Sequence, residues 1–229
     1  MNRFHGREAR ALVFVLRLLL VAGMIVPGVA VPAPARAVAA RPEASLRRSS
    51  PSQAFAGGSG TEEDPYLVGT AAELDDVRNH LDTHFRQTAD INLGVAPWNE
   101  DEGWEPIGTY GTGTQFTGTF DGGGYTIRNL TINRPETSYQ GLFGYAGADS
   151  ILRNIRLRDV NVRGGDYSGG LAGQANGVIE DVSVTGTILS GSSSTGGLMG
   201  TAGGATLHRV SADVTVQGTQ YAAGLVGYI

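Results

Sequence analysis

Two histidines have the spacing of a metal site. His80 and His84, in the segment HLDTH, are four residues apart, and on a helix both imidazoles would share one face, as in zinc proteins. A zinc protease of this kind needs a glutamate where Leu81 stands, and also a third ligand. We therefore interpret both as solvated histidines near the C-terminal end of a helix, where positive charge is favourable. We predict no metal and no cofactor.

Carboxylates in two segments have the oxygen atoms that calcium prefers. One segment is the run Glu62, Glu63 and Asp64, and the other is FDGGGY, which contains Asp121. The Asp-Gly-Gly sequence is also sufficient for a turn, because the aspartate bonds its own backbone and glycine accepts a positive φ. We favour the turn.

Acid pairs that cleave polysaccharides would have to meet on one face of the molecule. Asp159, Glu180, Asp181 and Asp213 do not fall level with one another in the repeats described below, and we expect them to be scattered and exposed to solvent. The serine-rich segment 191–197 has no plausible histidine and aspartate partners nearby. We therefore predict no catalytic residues.

Three tyrosines are the surface residues most suited to binding. Tyr139, Tyr167 and Tyr221 each precede a repeated leucine by three or four residues, and the third repeat has Ser194 instead. Aromatic rings on an outer edge stack on sugars or anchor a protein partner. They can equally pack over the coil beneath, and the sequence leaves both alternatives open.

Charge and composition exclude some partners. The chain has 229 residues, no cysteine, 17 basic and 22 acidic residues, and a formal net charge of -5. Without residues 1–37 the remainder has a charge of about -9, which repels nucleic acid and gains nothing from an anionic membrane. The fold must stand without disulfides.

The N-terminal segment resembles a secretory signal. Arginines precede an apolar run, 18–31, that is short for a membrane span, and an Ala-x-Ala site ends at Ala37. We predict a signal peptide over 1–37 and a flexible linker over 38–60, with an uncleaved signal anchor as the alternative. A cap region, 61–115, follows. Its single helix, Thr70 to Leu81, has a capping box formed by Thr70 and Glu73.

Residues 116–229 contain a repeat. GLFG begins at Gly141, GLAG at Gly170, GLMG at Gly197 and GLVG at Gly224, with offsets of 29, 27 and 27 residues. The repeated positions are Gly141, Leu142, Gly144, Gly170, Leu171, Gly173, Gly197, Leu198, Gly200, Gly224, Leu225 and Gly227. An unchanging order at nearly constant spacing predicts an all-β solenoid, a right-handed parallel β-helix with about 27 residues per coil. The glycines are expected at corners, where φ is unusual or a Cβ has no room.

A second repeated segment follows the first. NLTI at 129–132, NIRL at 154–157, DVSV at 181–184 and RVSA at 209–212 are predicted to stack. Buried files of Leu130, Ile155, Val182 and Val210, and of Ile132, Leu157, Val184 and Ala212, should result. Asn129, Asn154, Asp181 and Arg209 would form one outer position, with an exposed ion pair at its end.

These repeats resemble the GLUG-motif proteins, bacterial secreted or surface proteins with Gly-Leu-x-Gly repeats. The segments GSGTEEDPYLV, RQTADINL, WEPIG and FTGTFDGGGYTIRNLTI are similar to the leader that precedes such repeats, so the resemblance covers about 57–229. It implies a β-helix on an exported protein, of the kind found beside adhesins and in the non-catalytic region of IgA-cleaving metallopeptidases. It implies no catalytic residue.

We therefore expect an exported structural or adhesive module, secreted or at the cell surface, and not an enzyme. Its expected partners are a glycan or a host or neighbouring protein, with no nucleic acid and no membrane after signal cleavage. The alternatives are a secreted polysaccharide-degrading enzyme and the non-catalytic front part of a larger surface protease. The repeat stops just after its fourth copy opens, so we expect a truncated solenoid whose uncapped last coil allows end-to-end self-association.

Overall fold

The computed structural model describes residues 55–191 and 193–229, and the predicted signal peptide and most of the linker lie outside these residues. The described part is a parallel β-solenoid of about four turns with about 28 residues per turn, and it has one short α-helix near its N-terminal end. The all-β solenoid and its single helix are as predicted. None of the described helices is long and apolar enough to cross a membrane.

The regular elements, in chain order, are β1 Tyr66–Val68, α1 Ala71–Asp76, a 3-10 turn Val77–Asn79, β2 His84–Gln87, β3 Ile91–Asn92, β4 Thr119–Asp121, β5 Thr126–Arg128, β6 Thr131–Arg134, β7 Phe143–Ala146, β8 Ile151–Arg153, β9 Arg156–Gly164, β10 Ala172–Ala175, β11 Val178–Ser190, β12 Ser194–Gly196, β13 Met199–Ala202, β14 Thr206–Gln217, β15 Tyr221–Ala223 and β16 Val226–Tyr228.

All of the paired strands lie parallel to their neighbours, as stacked coils require. One face is the four-stranded sheet β7-β10-β13-β16, which carries the GLxG repeats. The long strands β9, β11 and β14 bend around the solenoid, so the remaining faces join into one ten-stranded sheet, with β12 and β15 as a separate pair. Each strand therefore meets the equivalent strand of the next coil, and the core runs along the solenoid axis.

The repeated leucines form one file inside this core. Leu142, Leu171 and Leu198 are each 0% exposed, and Leu225 in the last described coil is half-buried. The amide of Leu171 donates to the carbonyl of Leu198 at 2.9 Å, and the amide of Leu198 donates to that of Leu225 at the same distance. This file lies where the repeat predicts it.

The second repeated segment was aligned wrongly at its first copy. Leu157 pairs with Ile127 and not with Ile132, and Ile132 pairs with Val162. Leu130 likewise lies beside the segment at Asn161, whose amide donates to its carbonyl at 2.8 Å, and not beside Ile155. The two segments NLTI and NIRL resemble each other. The number of residues that separates them is smaller than the number in that coil, so they do not lie one above the other. The predicted stacking of Val182 on Val210 and of Val184 on Ala212 is confirmed.

Seven of the eight GLxG glycines are needed for space and not for φ, and the exception is Gly224, where a Cβ would meet nothing within 4 Å. No glycine of the four GLxG copies has a positive φ. A Cβ on Gly173 would instead lie 2.4 Å from the Cα of Tyr139, and one on Gly200 would lie 2.4 Å from the carbonyl carbon of Tyr167. Of the two reasons predicted for these glycines, the close approach of another coil is therefore correct and the unusual φ is wrong.

The N-terminal end is closed by the helix. Thr70 accepts a hydrogen bond from the Glu73 amide at 3.2 Å and Glu73 bonds back to Thr70, so the predicted capping box is present. The helix ends at Asp76, earlier than predicted, and continues as the 3-10 turn. Leu74 and Val77 are each 0% exposed and belong to the solenoid core. The helix thus covers apolar surface that a further coil would otherwise cover.

Candidate functional site

Two of the predicted tyrosines have a backbone conformation that is rare for bulky residues. Tyr139 has a φ of 62° and Tyr167 a φ of 58°. The amide of Tyr139 donates to the carbonyl of Asp166 at 2.8 Å, which holds the two turns in register. The second GLxG glycines, Gly173 and Gly200, lie so close to the backbone of these turns that a Cβ at either position would clash with it. The repeat therefore places a glycine against each of the two tyrosine turns.

The rings of these tyrosines stack on each other. Tyr139 and Tyr167 have ring centroids 5.0 Å apart, and Tyr110, from an irregular loop of the preceding coil, stacks on the other side of Tyr139 at 5.2 Å. Tyr145 contacts Tyr110 edge-on at 5.5 Å, and its hydroxyl accepts a hydrogen bond from Asn176 at 2.8 Å. Both faces of Tyr139 are therefore covered by other tyrosine rings. Of the two alternatives that the sequence left open, this arrangement is packing against a neighbouring coil.

Tyr221 does not join this stack. Its backbone pairs with Ser194, which separates it from Tyr167 by one coil, and its ring contacts Tyr228 with centroids 5.4 Å apart. The structure thus brings together two of the three tyrosines singled out in the sequence and adds Tyr110 and Tyr145. Tyr110 has no counterpart in the later coils, so no repeat in the sequence indicates it.

The stack raises the pKa of its central member, Tyr139. Burial raises the pKa of Tyr139, and the neighbouring phenols of Tyr167, Tyr110 and Tyr145 raise it further. Tyr139 is therefore a neutral hydroxyl at physiological pH, available as both donor and acceptor.

A groove of about 380 Å³ runs along the Tyr110 and Tyr139 end of the stack. Its other lining residues include Pro106, Glu105 and Arg134. Arg134 forms an ion pair with Glu102 at 2.6 Å, and Glu105 lies 3.6 Å from Arg78, so both charges of the groove have partners of opposite sign. An aromatic wall, a proline and compensated charges suit an amphipathic, uncharged ligand.

A second surface consists of basic and acidic residues in alternation. The register across the coils places Arg86, Asp121, Arg153, Glu180 and His208 in one outward row. The Nε of Arg153 donates to Asp121 at 3.0 Å, and His208 lies 3.1 Å from Glu180. Within the row, the Arg153–Asp121 ion pair joins β8 to β4, and the contact of His208 with Glu180 joins β14 to β11.

The outer position predicted for Asn129, Asn154, Asp181 and Arg209 exists for three of these four residues. Asn154, Asp181 and Arg209 each follow a residue of the charged row and have a positive φ, so they occupy one position, and Arg209 forms the predicted ion pair with Asp181. Asn129 is not in this position. Its Nδ2 donates to the Asn92 side chain at 2.8 Å, while that of Asn154 donates to Asp121 at 2.9 Å. Asn129 was misplaced for the same reason as Leu130 and Ile132, since one coil has more residues than separate NLTI from NIRL.

Asp121 has the turn role that the sequence predicts. Its Oδ1 accepts a hydrogen bond from the Gly123 amide at 2.9 Å, and Gly123 has a φ of 58°. Burial acts to raise the pKa of Asp121, but the hydrogen bonds from Asn154, Gly123 and Arg153 outweigh it, and the net pKa is lowered. The carboxylate is thus committed to structural contacts.

This geometry predicts an acid-sensitive contribution to stability. A carboxylate with a lowered folded-state pKa stabilises the fold above its unfolded-state pKa, about 3.9, and the contribution is lost as the pH falls through the folded-state value. Asp121→Asn should therefore flatten the decline of the free energy of unfolding between about pH 5 and about pH 2. Denaturant unfolding at a series of pH values measures this, with the exposed Asp149→Asn as the control. Equal slopes for the wild type and Asp121→Asn would contradict it.

The other candidate residues do not form a metal site. Glu62, Glu63 and Asp121 line one polar pocket of about 160 Å³, together with His84, Arg86 and Arg153. Within the described part of the chain, no group of three or more histidine, cysteine or acidic side chains is arranged to hold a metal ion. His80 and His84, interpreted from the sequence as solvated side chains near the end of the helix, are both half-buried and do not share a helix. His80 follows the 3-10 turn and contacts Tyr66, while His84 begins β2.

Comparison with known proteins identifies the repeat. Residues 164–189 match the GLUG motif. They span the end of β9, the turn at Tyr167, the GLAG segment and most of β11, which is one complete coil. The GLUG repeat is thus the solenoid coil, as the resemblance implied.

Two curated relatives extend the similarity. The chain is 44% identical over 138 residues to a protein named as a Gly-rich membrane protein from Evansella cellulosilytica, and 38% identical over 136 residues to halomucin from Haloquadratum walsbyi. These matches cover 58% and 57% of this chain but only 16% and 2% of those proteins. The chain therefore spans a small part of the length of these relatives.

Among solved structures, the chain is similar to a crystal structure assigned as an immunoglobulin A1 protease from Bacteroides ovatus. The two share 16% identity with a TM-score of 0.41, over 72% of this chain and 70% of that one.

Proposed function

We propose that this chain is a surface repeat module of an exported protein and that it binds uncharged saccharide chains through the groove beside Tyr110 and Tyr139. The observation that carries the proposal is the groove itself, an aromatic wall with no uncompensated charge. Of the tyrosine stack, Tyr110 has the most accessible ring, at 66% exposed, and it stacks on Tyr139 by one face only. Its other face is free to pack against a sugar ring.

Location at the cell surface is supported by two observations. The first is the signal-like N-terminal segment, with its basic start, apolar run and Ala-x-Ala site. The second is the match to relatives named as a Gly-rich membrane protein and as halomucin. A cysteine-free solenoid held together by parallel strands suits such a location, because it depends on no redox condition.

The charge of the protein favours a neutral ligand over an acidic one. The region after Ala37 has an excess of acidic residues, which repels polyanions at long range. Within the groove, Arg134 is paired with Glu102 and does not offer a free cation for a carboxylated sugar. Neutral polysaccharides should therefore bind, and uronate polymers should not.

Substitution of Tyr110 tests the proposal. Tyr110→Ser should weaken binding of a neutral polysaccharide by about tenfold, the effect of losing roughly 1.4 kcal/mol, without changing stability, because the ring is mostly exposed. The measurement is affinity electrophoresis or titration calorimetry against a panel of neutral and acidic polysaccharides. Tyr125→Ser is the matched control, since Tyr125 is 41% exposed and lies outside the groove.

A second variant removes the stack from beneath Tyr110. Tyr139→Asn combined with Tyr167→Asn should also reduce binding, and asparagine tolerates the positive φ of both positions. If neither this variant nor Tyr110→Ser changes the affinity, the groove is not the binding site. If polysaccharide is cleaved and reducing ends accumulate, the chain is an enzyme, and the pocket lined by Glu62, Glu63 and His84 is the place to examine.

A further inference from the structure

Three arginines lie side by side on the outer surface of the solenoid. Arg128 in β5 is the register partner of Arg158 in β9, and Arg156 lies two residues before Arg158 on the same face. Ile127 and Leu157, which alternate with them along the strands, are each 0% exposed, whereas all three arginines are exposed. Neighbouring strands are about 4.8 Å apart, and alternate residues of one strand are about 6.6 Å apart. Three positive side chains therefore leave the sheet close together, and we call them the arginine cluster.

The arginine cluster has no acidic partner within the described part of the chain. Arg156 donates from Nη1 to the carbonyl of Gly124 at 2.6 Å, and none of the three guanidinium groups forms an ion pair with a described carboxylate. Asp159 follows Arg158, but it lies at a β-bulge with a φ of 55° and does not pair with it. By contrast, four other arginines do form ion pairs with carboxylates, and they are Arg78, Arg134, Arg153 and Arg209.

Repulsion between Arg128 and Arg158 is unfavourable for the fold. Like charges directly opposite each other on neighbouring strands destabilise a sheet. A shortage of carboxylates is not the cause, because the chain has 22 acidic and 17 basic residues. A bound anion would remove the repulsion, and residues that break a rule of local stability are expected at functional sites. The arginine cluster therefore has the properties of a site for an anionic group.

Among anionic groups, a phosphate monoester fits three neighbouring arginines best. One guanidinium group satisfies both oxygens of a carboxylate in a bidentate contact, so a single carboxylate leaves the other arginines without a partner. A phosphate monoester has three acceptor oxygens and a charge of about -1.5 to -2 at pH 7. It accepts hydrogen bonds from two or three guanidinium groups at once, and the planar fork of arginine matches its geometry.

Uncharged polar residues border the arginine cluster. Asn92 is the register partner of Arg128, and Thr126 and Ser183 lie on either side of Arg156. The hydroxyl groups of threonine and serine both donate and accept hydrogen bonds, as sugar hydroxyls do. These neighbours suit a saccharide as the carrier of the phosphate.

The charge of the remaining surface argues against a phospholipid membrane as the carrier. A membrane presents a plane of negative charge to the whole side of the protein that faces it, and the region after Ala37 has a charge of about -9. A phosphate on a flexible polysaccharide instead approaches the cluster alone, because charges farther away than a Debye length, about 8 Å, are largely screened. The excess of acidic residues therefore does not prevent local binding of one anionic group.

We infer that the arginine cluster binds phosphate monoester groups carried by a polysaccharide. The cluster lies on β5 and β9 and shares no residue with the groove beside Tyr110 and Tyr139. The inference therefore goes beyond the proposed binding of neutral saccharide in that groove and does not depend on it. Uronate polymers are poor ligands at both places, since each of their carboxylates occupies only one arginine.

Titration calorimetry with two forms of one polymer tests the site. The probes are a mannan that carries phosphate monoesters and the same mannan after phosphatase treatment. The wild type should bind the phosphorylated form about tenfold more tightly, the effect of one charge-assisted hydrogen bond. Arg128→Gln combined with Arg158→Gln should remove this difference. The melting temperature should not fall, because both side chains are exposed and neither loses an ion pair.

Arg86→Gln combined with Arg163→Gln is the matched control. It removes the same charge from two exposed arginines outside the cluster, so the preference for the phosphorylated mannan should remain. Tyr110→Ser should weaken the binding of both mannans and leave the difference between them. If the groove does not bind saccharide, the phosphatase-treated mannan does not bind while the phosphorylated mannan still does. Failure of the groove and failure of the cluster therefore give different results.

Other outcomes would overturn the inference. Equal affinity of the wild type for both mannans means that the cluster is not a phosphate site. An equal loss of affinity in the control variant means that net charge, and not the cluster, attracts the polymer. A uronate polymer that binds as tightly as the phosphorylated mannan means that the site does not select phosphate. Binding to vesicles of phosphatidylcholine and phosphatidic acid in place of the mannan, lost in the cluster variant, makes the ligand a membrane.

Discussion

Gly173→Val is expected to prevent the solenoid from reaching its native stability. The Cβ of any residue at position 173 would lie 2.4 Å from the Cα and 2.5 Å from the carbonyl carbon of Tyr139, and 2.8 Å from the carbonyl oxygen of Gly144. All three are backbone atoms, so no side chain can rotate to make room. Two coils would have to separate, and this would break the hydrogen bonds between them.

We expect Gly173→Val to lower the free energy of unfolding by about 4 kcal/mol or more, which is exceptional for a single substitution. Thermal and denaturant unfolding measure the loss, and for a domain of ordinary stability a large part of the population would be unfolded. Gly191→Val should cost little, because nothing lies within 4 Å of that position. Normal stability of Gly173→Val would mean that the coils are not in close contact at the second GLxG glycine.

Leu171→Ala should produce the next largest effect. Leu171 is 0% exposed and lies between Leu142 and Leu198 in the repeated file, so truncation leaves a cavity that the rigid backbone of neighbouring coils cannot close. The expected cost is roughly 2–5 kcal/mol. Denaturant unfolding with an unchanged m-value would show that stability, and not the surface exposed on unfolding, has changed.

The matched comparison for this variant is Leu225→Ala, the same substitution at the same repeat position. Leu225 is only half-buried in the last described coil, so less apolar contact is lost and the cost should be clearly smaller. If the two variants lose the same free energy of unfolding, the contribution of each leucine does not depend on how deeply it is buried.

Parts of the fold were predictable because they repeat along the chain. The four GLxG copies and the paired segments DVSV and RVSA lie in register in three dimensions, and the capping box at Thr70 forms from neighbouring residues. Such features can be predicted from a regular spacing of residues or from a pattern of neighbouring residues. The segment at Asn129 was misplaced because its coil is longer, and a similar short sequence occurs at the wrong distance.

The sequence by itself determined the solenoid, its period, the buried leucine file and the helix near its beginning, since each follows from residue types at regular spacing. Only the tertiary structure decided that Tyr110 joins Tyr139 and Tyr167, that Tyr221 does not, and that a groove with paired charges lies beside them. The physical reason is that these contacts connect irregular turns of different coils. Their positions depend on the exact length of every coil between them, which no repeat in the sequence records.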